Sequence, residues 1–118
     1  MDTKLNHFGK MFVTEVRDAT INSLDKMLNG TMKGITAEKV HKKILSLTSE
    51  QIDVIRWLIP QIVDINMHNL LFMIEEHDDL ELLFQHENLK EISDGLSGEL
   101  YTEDGWIAKF SNERYEEE

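Results

Sequence analysis

The chain has 118 residues, 41% hydrophobic and 30% charged, with 12 Lys/Arg against 23 Asp/Glu for a formal net charge of −11 and no cysteine. This length buries one core rather than two. The missing cysteines exclude disulfide frameworks, thiol catalysis and cysteine-ligated zinc, and they fit a reducing cytoplasm.

The charge is uneven. Residues 1–74 carry nine Lys/Arg and eight Asp/Glu, a balance of +1, whereas residues 75–118 carry three and fifteen, a balance of −12. Nucleic-acid binding needs a basic footprint, and only KVHKKI at 39–44 offers one, so no nucleic-acid partner is expected. The amino terminus MDTKLNHFGKMF has no apolar signal-peptide core. Pro60, Asp64, Asn66 and His68 interrupt the longest apolar stretches, so no membrane span is expected either.

Taken in chain order, Leu5, Phe8, Phe12, Val16, Ala19, Thr20 and Met27 recur at helical spacing and predict one amphipathic helix over 3–28, stopped by Asn29-Gly30. Thr36 predicts the cap of a second helix, 37–47, with Ala37, Val40, Ile44 and Leu47 inward. Thr48 followed by Gln51 has the form of a capping box and opens a long central helix over 50–77, kinked near Arg56–Ile59 by Pro60. Asp78 or Asp79 caps a fourth helix, 80–92, with Leu82, Leu83, Leu89 and Ile92 inward. GELYTEDGWIAKFS alternates around Asp104-Gly105 and predicts a β-hairpin over 98–111. The fold class is mainly α: about four helices around the long kinked one, with a small C-terminal hairpin, as a single domain over 1–111. Residues 112–118 read as an acidic tail that frays.

On the long helix, Ile59, Ile62, Val63, Asn66, Leu70, Met73 and Ile74 share one face and read as core. A second face carries Trp57, Gln61, Asp64, His68, Leu71, Phe72 and Glu75. Asp64 and His68 are four apart, within reach of a carboxylate–imidazole hydrogen bond. His, Asp and Glu also ligate transition metals, but Glu75 lies about 10 Å along the axis from His68. A single ion therefore needs His7, His41, His77 or His86 brought in from elsewhere. A satisfied structural pair is the simplest use of Asp64 and His68. A protein-contact surface, with Trp57, Leu71 and Phe72 around polar anchors, is another.

Zincin, EF-hand, dinucleotide-loop, P-loop and nucleophile-elbow patterns are not met by HENLK at 86–90, the loop around 93–105 or the glycines at 95, 98 and 105. Tyr101, Trp106 and Phe110 either cover the core or meet a partner. In size and charge the chain resembles the small acidic single-domain proteins of bacteria, some of which are immunity proteins that neutralise a basic toxin. No residue roles follow from that resemblance.

The expected function is a protein-binding module of immunity or adaptor type, taking a basic partner on its acidic end and able to form a homodimer. The candidate partner-binding residues are Trp57, Asp64, His68, Phe72, Glu75, Tyr101 and Trp106. No cofactor is expected. The alternative is a metal-dependent or acid–base helical enzyme using Asp64, His68 and Glu75.

Overall fold

The computed structural model describes residues 3–115. The chain begins with α1 (Thr3–Phe12), a π-helical segment (Val13–Asp18) and α2 (Ala19–Asn29), which run on without interruption. It continues through α3 (Ile35–Ile44) and the long α4 (Ser49–Glu76). Then come a hairpin of β1 (Leu83–Phe84) and β2 (Glu87–Asn88), a one-turn α5 (Leu89–Ile92), a 3-10 turn (Leu96–Leu100) and α6 (Trp106–Phe110). The architecture is a long helix with shorter helices against one side and a small antiparallel hairpin after it.

The helix ends follow local chemistry. Gly30, at φ 75°, ψ 17°, lets α2 finish in a Schellman motif, with its own N–H on the Met27 carbonyl and that of Thr31 on Lys26. The capping box at the start of α4 is complete: Gln51 N–H donates to Thr48 Oγ1 at 3.2 Å, and Thr48 N–H donates to Gln51 Oε1 at 2.9 Å. At the other end of α4, Lys90 Nζ donates to the carbonyls of His77 (2.7 Å) and Leu80 (2.8 Å). A cation thereby closes a helix end whose last turn carries no basic residue of its own. The α3 helix starts earlier than its sequence suggests, at Ile35 behind Gly34, and Thr36 lies inside it.

The hairpin lies at 83–88 rather than 98–111, and it replaces the first part of the helix expected over 80–92. Leu83 pairs with Asn88 and Phe84 with Glu87. Gln85 and His86 between them both take positive φ, 51° and 70°, as a two-residue turn of matching twist requires. Neither residue is one that usually marks such a turn, so nothing local announces it. Over 98–111 the expected alternation fails because Trp106 and Ile107, which are consecutive, are each 1% exposed. A strand sends neighbours to opposite faces; one helical turn can bury both. Asp104-Gly105 leads into α6 instead, and a Cβ on Gly105 would overlap the Tyr101 carbonyl.

A second difference begins at the π segment. With a regular helix, Val16, Ala19 and Thr20 would continue the face of Leu5 and Phe12. In the structure all three are exposed, and Val13, Arg17, Asp18, Ile21 and Leu28 are buried. Phe12 and Arg17, five residues apart, come to the same side because the π turn absorbs one extra residue. Everything downstream is shifted by one position.

On α4, too, the core face is rotated from the one expected. Ile59, Pro60, Val63, Met67 and Leu71 are buried, whereas Ile62, Asn66, Leu70 and Met73 are exposed. Ile59, Val63, Met67 and Leu71, with Leu5, Phe12, Val13, Ile21, Leu28, Leu89, Leu96, Leu100, Trp106 and Ile107, form one continuous core between α4, the amino-terminal rod and the C-terminal turns. Gly9 lets the Trp106 ring lie against α1: a Cβ there would sit 2.5 Å from the indole. Among the described residues no helix is long and apolar enough to cross a membrane.

Candidate functional site

The three polar groups of the long helix are parted by the fold, each to a different task. Asp64 is held by Arg17, not by His68. Arg17 Nε donates to Asp64 Oδ1 at 2.6 Å and Nη2 to Oδ2 at 3.4 Å, a bidentate pair with an arginine side chain that is 0% exposed. The remaining Arg17 donors are also used: Nη1 reaches Ser111 Oγ at 2.7 Å and Asp18 Oδ1 at 3.5 Å, and Nη2 reaches the Arg114 carbonyl at 2.7 Å. Asp18 in turn accepts from Ser111 Oγ (2.6 Å) and Asn112 N–H (2.7 Å). A buried guanidinium is tolerable only with its donors satisfied and its charge countered, and both conditions hold here.

This network fastens residues 111–115 to the body. Of the tail expected to fray from 112, Asn112, Glu113 and Arg114 make hydrogen bonds and Tyr115 packs against the core, and 116–118 lie outside the described residues. The strap also repairs the long helix. Pro60 has no N–H, so the Arg56 carbonyl lacks its usual donor four residues on. Arg114 supplies the replacement, with Nη2 at 2.9 Å and Nε at 3.3 Å from that carbonyl. The same guanidinium forms two bonds to Asp25, 2.7 and 3.0 Å long. The Asp25 hydrogen bond, ahead of the opposing cost of burial, raises the pKa of Arg114. Arg56 adds a hydrogen bond to Asn29 and, at 3.6 Å, an ion pair with Asp25. The helix thus passes through Pro60 without ending.

Glu75 caps the 3-10 turn: its Oε1 accepts from Ser97 N–H at 2.8 Å and Ser97 Oγ at 3.0 Å. His68 is half-buried between two rings, 5.8 Å from Phe72 in a near-parallel stack and 5.6 Å from Tyr101 at a 43° tilt. Its Nδ1 is buried without a hydrogen-bond partner among the described residues. The other histidines do not join it. His7 meets Phe84 edge-on, His41 Nδ1 lies 3.2 Å from the Leu28 carbonyl, and His77 and His86 are exposed. Among the described residues no three His, Asp or Glu side chains are gathered in a way that could hold a metal ion.

Of the candidate contact residues, Trp57 (52%), Phe72 (44%) and Tyr101 (36%) are exposed, whereas Trp106 is in the core. Asp64 and Glu75 are engaged within the fold as described. A shallow pocket beside the network is lined by Arg17, Trp57, Pro60, Gln61, Asp64, Arg114 and Tyr115, and its charged groups are already bonded to one another or to the backbone. Sequence reasoning missed Arg17 and Arg114. The signal for Arg17 was a cation on the line Val13, Ile21, Leu28, visible once the π turn is known. Arg114 had none, because its partners lie 58 and 89 residues away.

Among the described residues, two open surfaces matter most for a partner. One is the ring cluster Phe72–His68–Tyr101, followed in the chain by the exposed Glu76, Glu103 and Asp104. Beside Tyr101, Thr102 takes φ 73°, a left-handed value that a β-branched residue rarely adopts. The other is an apolar stripe on the outer side of α4. Compared with protein-family models, curated proteins and solved structures, the chain matches none.

Proposed function

We propose that the chain is a cytoplasmic protein-binding module of adaptor or immunity type that takes a basic protein on its acidic carboxy-terminal part. The observation that carries this reading is the Phe72–His68–Tyr101 cluster, an exposed aromatic anchor at the entrance to a segment, 75–118, with fifteen acidic and three basic residues. The carboxylates speed encounter with a cationic surface, and the rings supply desolvated contact once the partner is seated. Strain at Thr102 is also of the kind found at binding surfaces.

The test uses an arginine- and lysine-rich peptide with one central aromatic residue, and an acidic peptide of equal length as control. Titration is repeated as salt rises from about 0.1 to 1 M, where the screening length falls from about 10 to about 3 Å. The basic peptide is expected to bind, to lose most of its affinity in high salt, and to weaken with Tyr101→Ala. Binding indifferent to salt, or equal for the two peptides, refutes the proposal.

A further inference from the structure

On the outer side of α4, opposite Ile59, Val63, Met67 and Leu71, six large side chains stand open: Val54 (62% exposed), Leu58 (43%), Ile62 (57%), Ile65 (60%), Phe72 (44%) and Met73 (47%). Together they amount to roughly 600 Å² of surface, the top of the range a monomer leaves in one apolar patch. A standard interface takes about 800 Å² from each partner, so the stripe and its rim suffice for one. The molecule is also extended. Its radius of gyration is 16.5 Å, against about 13.5 Å for a compact chain of this length, as expected where a long helix is covered on one side only. Leu58, Ile62, Ile65, Asn69 and Phe72 follow one another at steps of four, three, four and three, the spacing of a helix seam that meets another helix.

We propose that this stripe is the interface of a homodimer in which α4 of one copy packs antiparallel on α4 of the other, about a twofold axis between Ile62 and Ile65. That axis sets Ile62 of each protomer against Ile65 of the other, and the small Val54 against the long Met73. Charge selects the direction. Parallel packing would set the acidic end of α4, with Glu76 and then Asp78 and Asp79, against its own copy. Antiparallel packing parts those carboxylates and carries each set towards the start of the partner's α4, where Glu50 and Asp53 lie to the side of the stripe by helical spacing and the four residues 45–48 lead to the lysine-bearing α3 (Lys39, Lys42, Lys43). The proposal goes beyond the basic-partner reading; Phe72 belongs to both surfaces, but Ile62 and Ile65 lie outside the aromatic cluster, so substitutions at those two positions test the dimer alone.

Sedimentation equilibrium over about 1–100 μM protein is expected to show a monomer–dimer equilibrium. Ile62→Lys and Ile65→Glu, each on an exposed position and checked for retained helix content, are expected to weaken it about 100-fold or more, as a charge buried without a partner requires. The absence of native cysteine allows one spin label at Glu50→Cys. In the antiparallel dimer the two labels stand about 40 Å apart, 27 residues of helical rise, whereas a parallel pair leaves them within about 20 Å. A monomer throughout that range, a dimer that survives both substitutions, or a short label distance overturns the proposal. If the variants fail to fold, the unsubstituted chain's association and the label distance decide it alone.

Discussion

The repair of the long helix by Arg114 makes a thermodynamic prediction that ordinary packing would not. Arg114→Met keeps the apolar stem but removes the donors that replace the missing Pro60 N–H, leaving the Arg56 carbonyl without its two guanidinium bonds. An orphaned backbone group costs about 1–3 kcal/mol when buried, and this carbonyl is partly so. The Asp25 pair, with side chains 34% and 20% exposed, adds at most about 1 kcal/mol after solvent screening. The expected loss is therefore about 1–4 kcal/mol, read by urea denaturation at neutral pH. Pro60→Ala restores an N–H to the helix, so the same carbonyl keeps a partner when Arg114 is removed. In that background Arg114→Met should cost about 1–2 kcal/mol less. The raised pKa of Arg114 does not complicate the assay: its contribution is fully present below the ordinary guanidinium range and is lost only as pH rises through the higher folded-state value. If the Arg114→Met losses agree within about 0.5 kcal/mol with and without Pro60, the helix was not relying on the strap and the reasoning fails.

Other substitutions probe the remaining parts. Arg17→Met should lower stability by about 3–5 kcal/mol in denaturant titration, because Asp18 and Asp64 lose their buried counter-charge; a loss under about 1 kcal/mol would mean that the network is solvated. Gly9→Ala should cost about 1–3 kcal/mol in a thermal melt, since the new Cβ meets the Trp106 ring. Glu75→Ala should cost about 1–3 kcal/mol in metal-free buffer by leaving Ser97 N–H unpaired, an effect that a purely metal-binding role for Glu75 would not produce. Thr102→Gly should stabilise the chain by about 1 kcal/mol through relief of the left-handed strain, measured by the shift in denaturation midpoint.

Local chemistry alone was enough for several features. Thr48 and Gln51 close their capping box, and Asn29-Gly30 ends a helix, because every atom involved lies within a few residues. Apolar spacing was likewise enough for the long rod at the amino terminus and for α4. The aromatic cluster was half legible: His68, Phe72 and Tyr101 stood out as residues, but their meeting joins α4 to a turn about thirty positions on. Which face of α4 turns inward was not legible at all. A helix that is apolar almost all round offers no contrast between its sides, so the neighbours it meets decide the matter. The π turn that carries Arg17 inward, the strap that brings Arg114 to Pro60, and the separation of Asp64 from His68 belong to the same class. Each depends on a partner at least 47 residues away, or on a one-residue change of helical register. Periodicity in one segment holds no information about either, because burying a charge is affordable only once distant donors and acceptors have come together.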